Sequence, residues 1–395
     1  MKLPGGLGHL TYCLNIHPTQ SWADMRAALD GPVARVRAAV CPDADFAVGL
    51  RVSAQALSEL DDPENRRAFR QVMARHGYRG VTVNGFPYGP FHGTRVKEEV
   101  YQPDWRSAER VRYTTALADL MAEIAPEGET VSLSTVPGTF KPLAAGAETA
   151  MADNYLKAVA HLVGLQQRTG VTVALAIEPE PACFLETIPE TVAFLRDHLF
   201  SDAAAARLAE MTGLGRDAAA RALPRHLGLC YDVCHAAVEY EDPAASIAAL
   251  REVGIPIHKL QLSAALRVQR MGQAQRDALA AFNEPTYLHQ VIRRTPEGLK
   301  AHVDLSEALA LGDATDGEEW RVHFHVPVFV DDLGPFGSTR DFLDEILAMH
   351  RSDPISPHLE IETYTWDVLP PALRSATVDE DIVKEMRWVL ERLQP

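Results

Sequence analysis

The stretch Thr172-Val173-Ala174-Leu175-Ala176-Ile177-Glu178-Pro179 decides the fold. From Val173 to Ile177 it is apolar without a break, and Glu178 is the first polar side chain after it. A short uninterrupted apolar run is the pattern of a strand buried on both faces, as in a parallel sheet covered by helices. A carboxylate at the end of such a strand either caps the following turn or points into a site.

Similar runs recur on both sides, at 10–16, 46–52, 80–83, 131–136, 227–231, 257–262 and 359–362, with a further run at 322–330. Helical patterns separate them. Pro103-Asp104 opens a helix over 105–125, Thr187-Ile188-Pro189-Glu190 is a capping box for 188–199, and 378–393 carries one apolar stripe. Eight strands alternating with helices predict an α/β fold, a (β/α)8 TIM barrel with an insertion between strands 7 and 8; an open doubly wound sheet is the runner-up. No linker divides the chain, so 1–395 reads as one domain with insertions at 201–225, an expected extra helix, and 264–320, expected to be irregular outside 282–293.

The chain has 395 residues, 47% of them hydrophobic, and a formal net charge of −16. The negative charge and the lack of a basic run disfavour a nucleic-acid partner, since that grip depends on neutralising phosphates. No stretch reaches the ~20 apolar residues of a membrane span, and the N-terminus has no signal-peptide core. Five cysteines without paired metal spacing read as reduced thiols, and the expected location is cytoplasmic. A homo-oligomer is compatible with all of this.

In a TIM barrel, chemistry sits at the C-terminal ends of the strands. Glu178 ends the fifth run, and Asp232 and His235 of Tyr231-Asp232-Val233-Cys234-His235 end the sixth. Gln261 is the inward residue near the end of the seventh, and Glu362 is the outermost carboxylate of the eighth. An acidic side chain facing a barrel interior is costly unless paired or metal-bound. Oxygen-rich ligation suits Mg²⁺ or Mn²⁺ best, with Zn²⁺ the alternative. His323-Phe324-His325 puts two imidazoles on one face, and His17 and His92 are further candidates for a second or third ion. The loop from Asn84 to Gly93 offers Phe86, Tyr88, Phe91 and His92 as one wall of a polyol pocket, with Tyr364 and Trp366 opposite.

Ile177-Glu178-Pro179, Tyr231 to His235, Lys259 to Ser263 and Ile361-Glu362-Thr363 resemble the xylose isomerase-like TIM barrels, a superfamily of sugar-phosphate isomerases and epimerases that also includes endonuclease IV. The resemblance implies metal ligands at Glu178, Asp232, Gln261 and Glu362, with His235 at substrate or metal. It also implies that Arg267 holds substrate oxygens. More narrowly, 10–18, 84–93 and 362–366 look like the EboE family of metabolite traffic proteins. The implied activity is isomerisation or epimerisation of a sugar-like or polyol-like small molecule in biosynthesis or trafficking of a secondary metabolite. Glu178, Glu362 and His235 would be catalytic, with proton transfer through a metal-stabilised enediolate; Arg267, His92, Trp366, Tyr88 and His325 would bind substrate. The alternatives are a zinc-dependent phosphoester hydrolase of the endonuclease IV type and a non-catalytic metabolite binder.

Overall fold

The computed structural model describes residues 1–91, 95–369 and 374–394. Eight parallel strands form the core: β1 (His9–Tyr12), β2 (Phe46–Arg51), β3 (Tyr78–Asn84), β4 (Thr130–Thr135), β5 (Thr172–Ile177), β6 (Leu227–Asp232), β7 (Ile257–Leu262) and, last in the chain, β13 (His358–Ile361). Their order, β1-β13-β7-β6-β5-β4-β3-β2, leaves one seam, between β1 and β2. A parallel bridge from Cys13 to Gly49 nearly closes it into a barrel.

Burial explains why these segments are strands. All six residues of β2 and of β6 are buried, so they face helices on one side and the barrel interior on the other. The capping box at Thr187 is present, although its helix, Ile188–Phe194, continues as a π-helical turn over Leu195–Leu199. Helix Val378–Leu393 buries Ile382, Met386, Val389 and Leu393. No helix of the described residues is long and apolar enough to cross a membrane. All five cysteines are buried and unbridged.

Gly49 is required by the seam. A methyl group there would lie 1.8 Å from Glu360 Oε1 and 2.7 Å from the Tyr12 carbonyl oxygen, and the carbonyl belongs to backbone that cannot yield. Gly49→Ala is therefore expected to lower stability by about 1–3 kcal/mol, the usual cost of overpacking a tight core, as read by urea unfolding.

The two long segments differ from the sequence reading. The 201–225 segment is two helices, Asp202–Thr212 and Arg216–His226, separated by Gly213 in the left-handed region (φ +73°). The 264–320 segment is not irregular. It supplies β8 (Ala264–Val268), β9 (Val291–Thr295), β10 (Gly298–His302) and the start of β11 (Glu319–Val326), and with β12 (Gly337–Ser338) these form an antiparallel sheet ordered β10-β9-β11-β8-β12. Within 282–293 the chain is a loop that leads into β9. Only one residue, Ser263, separates β7 from β8, so the second sheet is rooted at the barrel mouth.

Glu385, on helix Val378–Leu393, is fully buried and accepts hydrogen bonds from Thr363 Oγ1 (2.5 Å) and the Val328 amide (3.1 Å). Burial pushes its carboxyl from the ordinary 4.5 up to about 8. The folded state then holds a proton that the unfolded chain releases, so this contribution to stability is complete at low pH and is lost as pH rises toward 8. The loss cannot exceed about 1.4 kcal/mol per pH unit for one group. Glu385→Gln keeps an acceptor without the charge, so the variant should match wild type in urea unfolding at pH 5 and surpass it at pH 8.5.

Candidate functional site

Asp232 ends β6 and caps the short helix after it. Its Oδ1 accepts from the amides of Cys234 (2.7 Å) and His235 (3.1 Å) and from Ser263 Oγ (2.7 Å). With Oδ1 engaged, Oδ2 faces the barrel axis. Register aligns Asp232 with Gln261 on β7, and Gln261 in turn with Glu360 on β13, placing Glu362 one step nearer the mouth.

Gln261 Nε2 donates to Glu178 Oε1 (2.8 Å), Asp232 Oδ2 (3.2 Å) and, in a very short contact, Glu362 Oε2. One amide group thus faces three carboxylates, whose oxygens lie within 4.8 Å of one another. Glu178, Asp232 and Glu362 are all at most 4% exposed, and Glu178 Oε2 has no hydrogen-bond partner. Two amides on the opposite side hold Glu362 Oε1: Asn15 Nδ2 at 2.5 Å and Asn84 Nδ2 at 2.9 Å.

Burial raises the Glu178 carboxyl to about 8; His235 pulls it down and Asp232 pushes it up. Glu362 is held well above the usual carboxylate range by burial and by repulsion from Glu178 and Asp232. Asp232 moves the other way, because His235, His325 and the Ser263 hydrogen bond outweigh its burial. A cation among the three oxygens would offset both upward shifts by stabilising the charged carboxylates. The residues therefore fit a hard divalent ion: three carboxylates, an amide side chain that can turn its oxygen inward, and a bare buried carboxylate oxygen.

Beside this set stand three imidazoles. The Nδ1 of His235 donates to the Pro179 carbonyl (2.8 Å), that of His323 to Gln290 Oε1 (2.6 Å), and that of His325 to the Glu362 carbonyl. Each Nε2 is thereby turned away from its anchor. His235 Nε2 and His323 Nε2 are 3.1 Å apart, and His325 Nε2 has no partner. His235 titrates higher than usual because Asp232, Glu180 and Glu178 overcome its burial. Burial drives His323 well below its ordinary value and brings His325 down to about 4. The donor sets Asp232/His235/His325, Glu180/His235/His323 and Cys234/His323/His325 each converge within 4.8 Å.

The structure thus brings together Glu178, Asp232, Gln261, Glu362, His235, His323 and His325. Phe86, Phe91 and Tyr364 line the cavity above them. Other expected residues lie elsewhere. Arg267, on β8, is turned to Asp341 (2.9 Å) and does not line that cavity, because the β-sheet that begins at Ala264 carries its side chain away. Tyr88 donates to Glu109 Oε1 (2.5 Å) outside the cavity, and Trp366 is buried in the core. His17 pairs with Tyr12 Oη (3.0 Å). His92 and Gly93 lie outside the described residues.

Asn15, Asn84, Glu180 and Gln290 were not singled out as polar site residues by the sequence. Asn84 ends β3, so the strand-end rule that found Glu178 would also have reached it. Gln290 carries no such signal. It holds His323, donates to Tyr101 Oη (2.9 Å) and the Pro181 carbonyl (3.0 Å), and comes from the inserted segment.

One solved structure is similar over nearly its whole length: a xylose isomerase-like TIM barrel protein from Mycobacterium smegmatis in complex with magnesium, 12% identical, TM-score 0.50, over 98% of this chain and 96% of that one. The fold is that of the xylose isomerase-like TIM barrels. A D-tagatose 3-epimerase-like protein (12% identical, TM-score 0.49, 98% and 97% covered) is also similar. So is a probable 3-DHS dehydratase, AsbF, from Bacillus anthracis (13% identical, TM-score 0.47, 97% and 98% covered). No family model matches the chain, and no curated protein matches it.

Proposed function

We propose that this protein is a metal-dependent isomerase or epimerase of a sugar-like or polyol-like small molecule, of the EboE type, with Glu178, Asp232, Gln261 and Glu362 holding Mg²⁺ or Mn²⁺. The observation that carries this is the buried trio of carboxylates around Gln261 with one oxygen unpartnered. Three buried acids at this separation repel one another and are retained at a cost that a divalent ion offsets. Bound there, such an ion would supply Lewis acidity to a carbonyl and its adjacent hydroxyl, which would acidify the C–H of the hydroxyl-bearing carbon.

The chain's own residues do the rest. Glu178 and Glu362 both contact Gln261, and one takes the carbon-bound proton while the other returns one. Asn15 and Asn84 keep Glu362 oriented, and the Pro179 carbonyl holds His235 with Nε2 toward the cavity. In metal-depleted protein titrated with Mn²⁺, one ion per chain is expected, and Glu178→Gln and Glu362→Gln should each abolish turnover of an accepted substrate. Wild-type turnover in both variants would refute the scheme.

A second reading has its own support: three imidazoles are anchored through Nδ1, and two of them, His235 and His325, converge with Asp232 while His323 joins His235 and Glu180. Such a set suits zinc and would make the centre that of a phosphoester hydrolase. Elemental analysis separates the two, since two or three zinc ions per chain favour the hydrolase and a single Mg²⁺ or Mn²⁺ excludes it.

A further inference from the structure

The cavity above the carboxylates changes character within one side-chain length. Its floor is polar, made of Glu178, Glu180, Glu362, Asn15, Asn84 and His235. Its upper wall is Phe91, Val96, Val100, Tyr287, Leu288 and Tyr364. Phe91, Tyr287 and Tyr364 form a triangle of rings with centroids 5.2–5.4 Å apart, and Val96 and Val100 pack against it.

Two hydroxyls at this wall are already engaged. Tyr287 Oη donates to the Phe91 carbonyl (3.0 Å), which leaves its ring to the cavity, and Tyr101 Oη donates to Glu180 Oε1 (2.8 Å). Lys97 is the single Lys or Arg among the described lining residues, and its Nζ is 2.6 Å from Asp304 Oδ2, with both side chains at most 15% exposed. The Lys97 charge is thus taken up by Asp304, and the rest of the described lining offers a phosphate no Lys or Arg. Tyr287 and Leu288, with His323 below them, come from the segment inserted between β7 and β13, while Phe91, Val96 and Val100 come from the connection after β3, so the insertion completes the apolar side of the barrel mouth.

We propose that the molecule handled at the carboxylate floor is unphosphorylated and amphiphilic: a vicinal oxygen pair at one end, and at the other an aromatic ring or short alkyl group seated against Phe91, Val96, Val100, Tyr287 and Leu288. This rests on the metal-chelating reading of the floor. The wall removes apolar surface from water, and a phenyl-sized group placed there gains about tenfold or more in affinity at ~25 cal/mol per Å².

Hydroxamates test this, because they chelate a divalent ion through two adjacent oxygens while their substituent varies. Full-length protein with Mn²⁺ is titrated by calorimetry with acetohydroxamate, benzohydroxamate and 2-phosphoglycolohydroxamate. The expected result is benzohydroxamate tightest by about tenfold or more over acetohydroxamate, and the phosphorylated probe weakest. Leu288→Ser and Val100→Ser, both at half-buried positions, should shrink the benzohydroxamate advantage while leaving acetohydroxamate affinity within about twofold. Equal affinities for the acetyl and phenyl probes, or preference for the phosphorylated one, would overturn the amphiphile while leaving the metal reading intact. A phenyl preference that persists in EDTA would support the wall and remove the metal reading. Binding of none of the three would overturn both.

Discussion

Asp232→Asn is expected to lower Mn²⁺ affinity by at least about a hundredfold while leaving the barrel folded. The two oxygens of Asp232 have separate tasks. Oδ1 caps the helix after β6 through the amides of Cys234 and His235, and an asparagine oxygen accepts those bonds equally well. Oδ2 faces Gln261 Nε2 at 3.2 Å and His235 Nε2 at 3.7 Å, and there the substitution replaces a carboxylate oxygen by an amide nitrogen that repels a cation. Without metal the variant loses the attraction to His235 and His325 that holds the Asp232 carboxyl low, so its stability should fall modestly below that of metal-free wild type. Asp232→Ala loses the cap as well, at about 1 kcal/mol. The checks are isothermal titration with Mn²⁺ and urea unfolding in EDTA. Unchanged Mn²⁺ affinity in Asp232→Asn would remove this residue from the ligand set.

The split between Oδ1 and Oδ2 marks where sequence reasoning succeeds and where it stops. Strand ends were legible because burial on both faces writes an unbroken apolar run, and the first polar residue after such a run is at the barrel mouth; Glu178 and Asp232 were found this way, and Glu362 from the period of two that sets it on the face of Glu360, nearer the mouth. Gln261 was legible from the period of two along β7. The inserted sheet was not, because strands open to water, such as β10 with Gly298 to Ala301 all exposed, lack that signature. Arg267 was misplaced for the same reason: in a loop it would reach the mouth, whereas on β8 its direction is set by pairing with β11 and β12. Tyr287, Leu288 and Gln290 reach the site only through that sheet, so nothing local in the sequence announced them.

The second large effect lies beneath the site. Lys259 on β7 and Glu360 on β13 are both fully buried inside the barrel, with Nζ 2.5 Å from Glu360 Oε2 and 3.2 Å from Ser134 Oγ. Their strands also carry Gln261 and lead to Glu362, so the pair forms the layer on which the carboxylates rest. Burial alone would strip Lys259 of its proton, but Glu360 outweighs it and holds the ammonium above its usual range. Lys259→Met is then expected to cost about 3–5 kcal/mol, because it leaves the Glu360 carboxylate buried without its counter-charge, one layer below three more acids. The double variant Lys259→Met/Glu360→Gln removes both charges together and should recover most of that loss, since a buried ion pair contributes less than breaking it costs. Urea unfolding of the two singles and the double closes the cycle. A double variant no more stable than Lys259→Met would mean that Lys259 acts through packing and Ser134 alone, and that the carboxylate floor stands without a buried counter-charge.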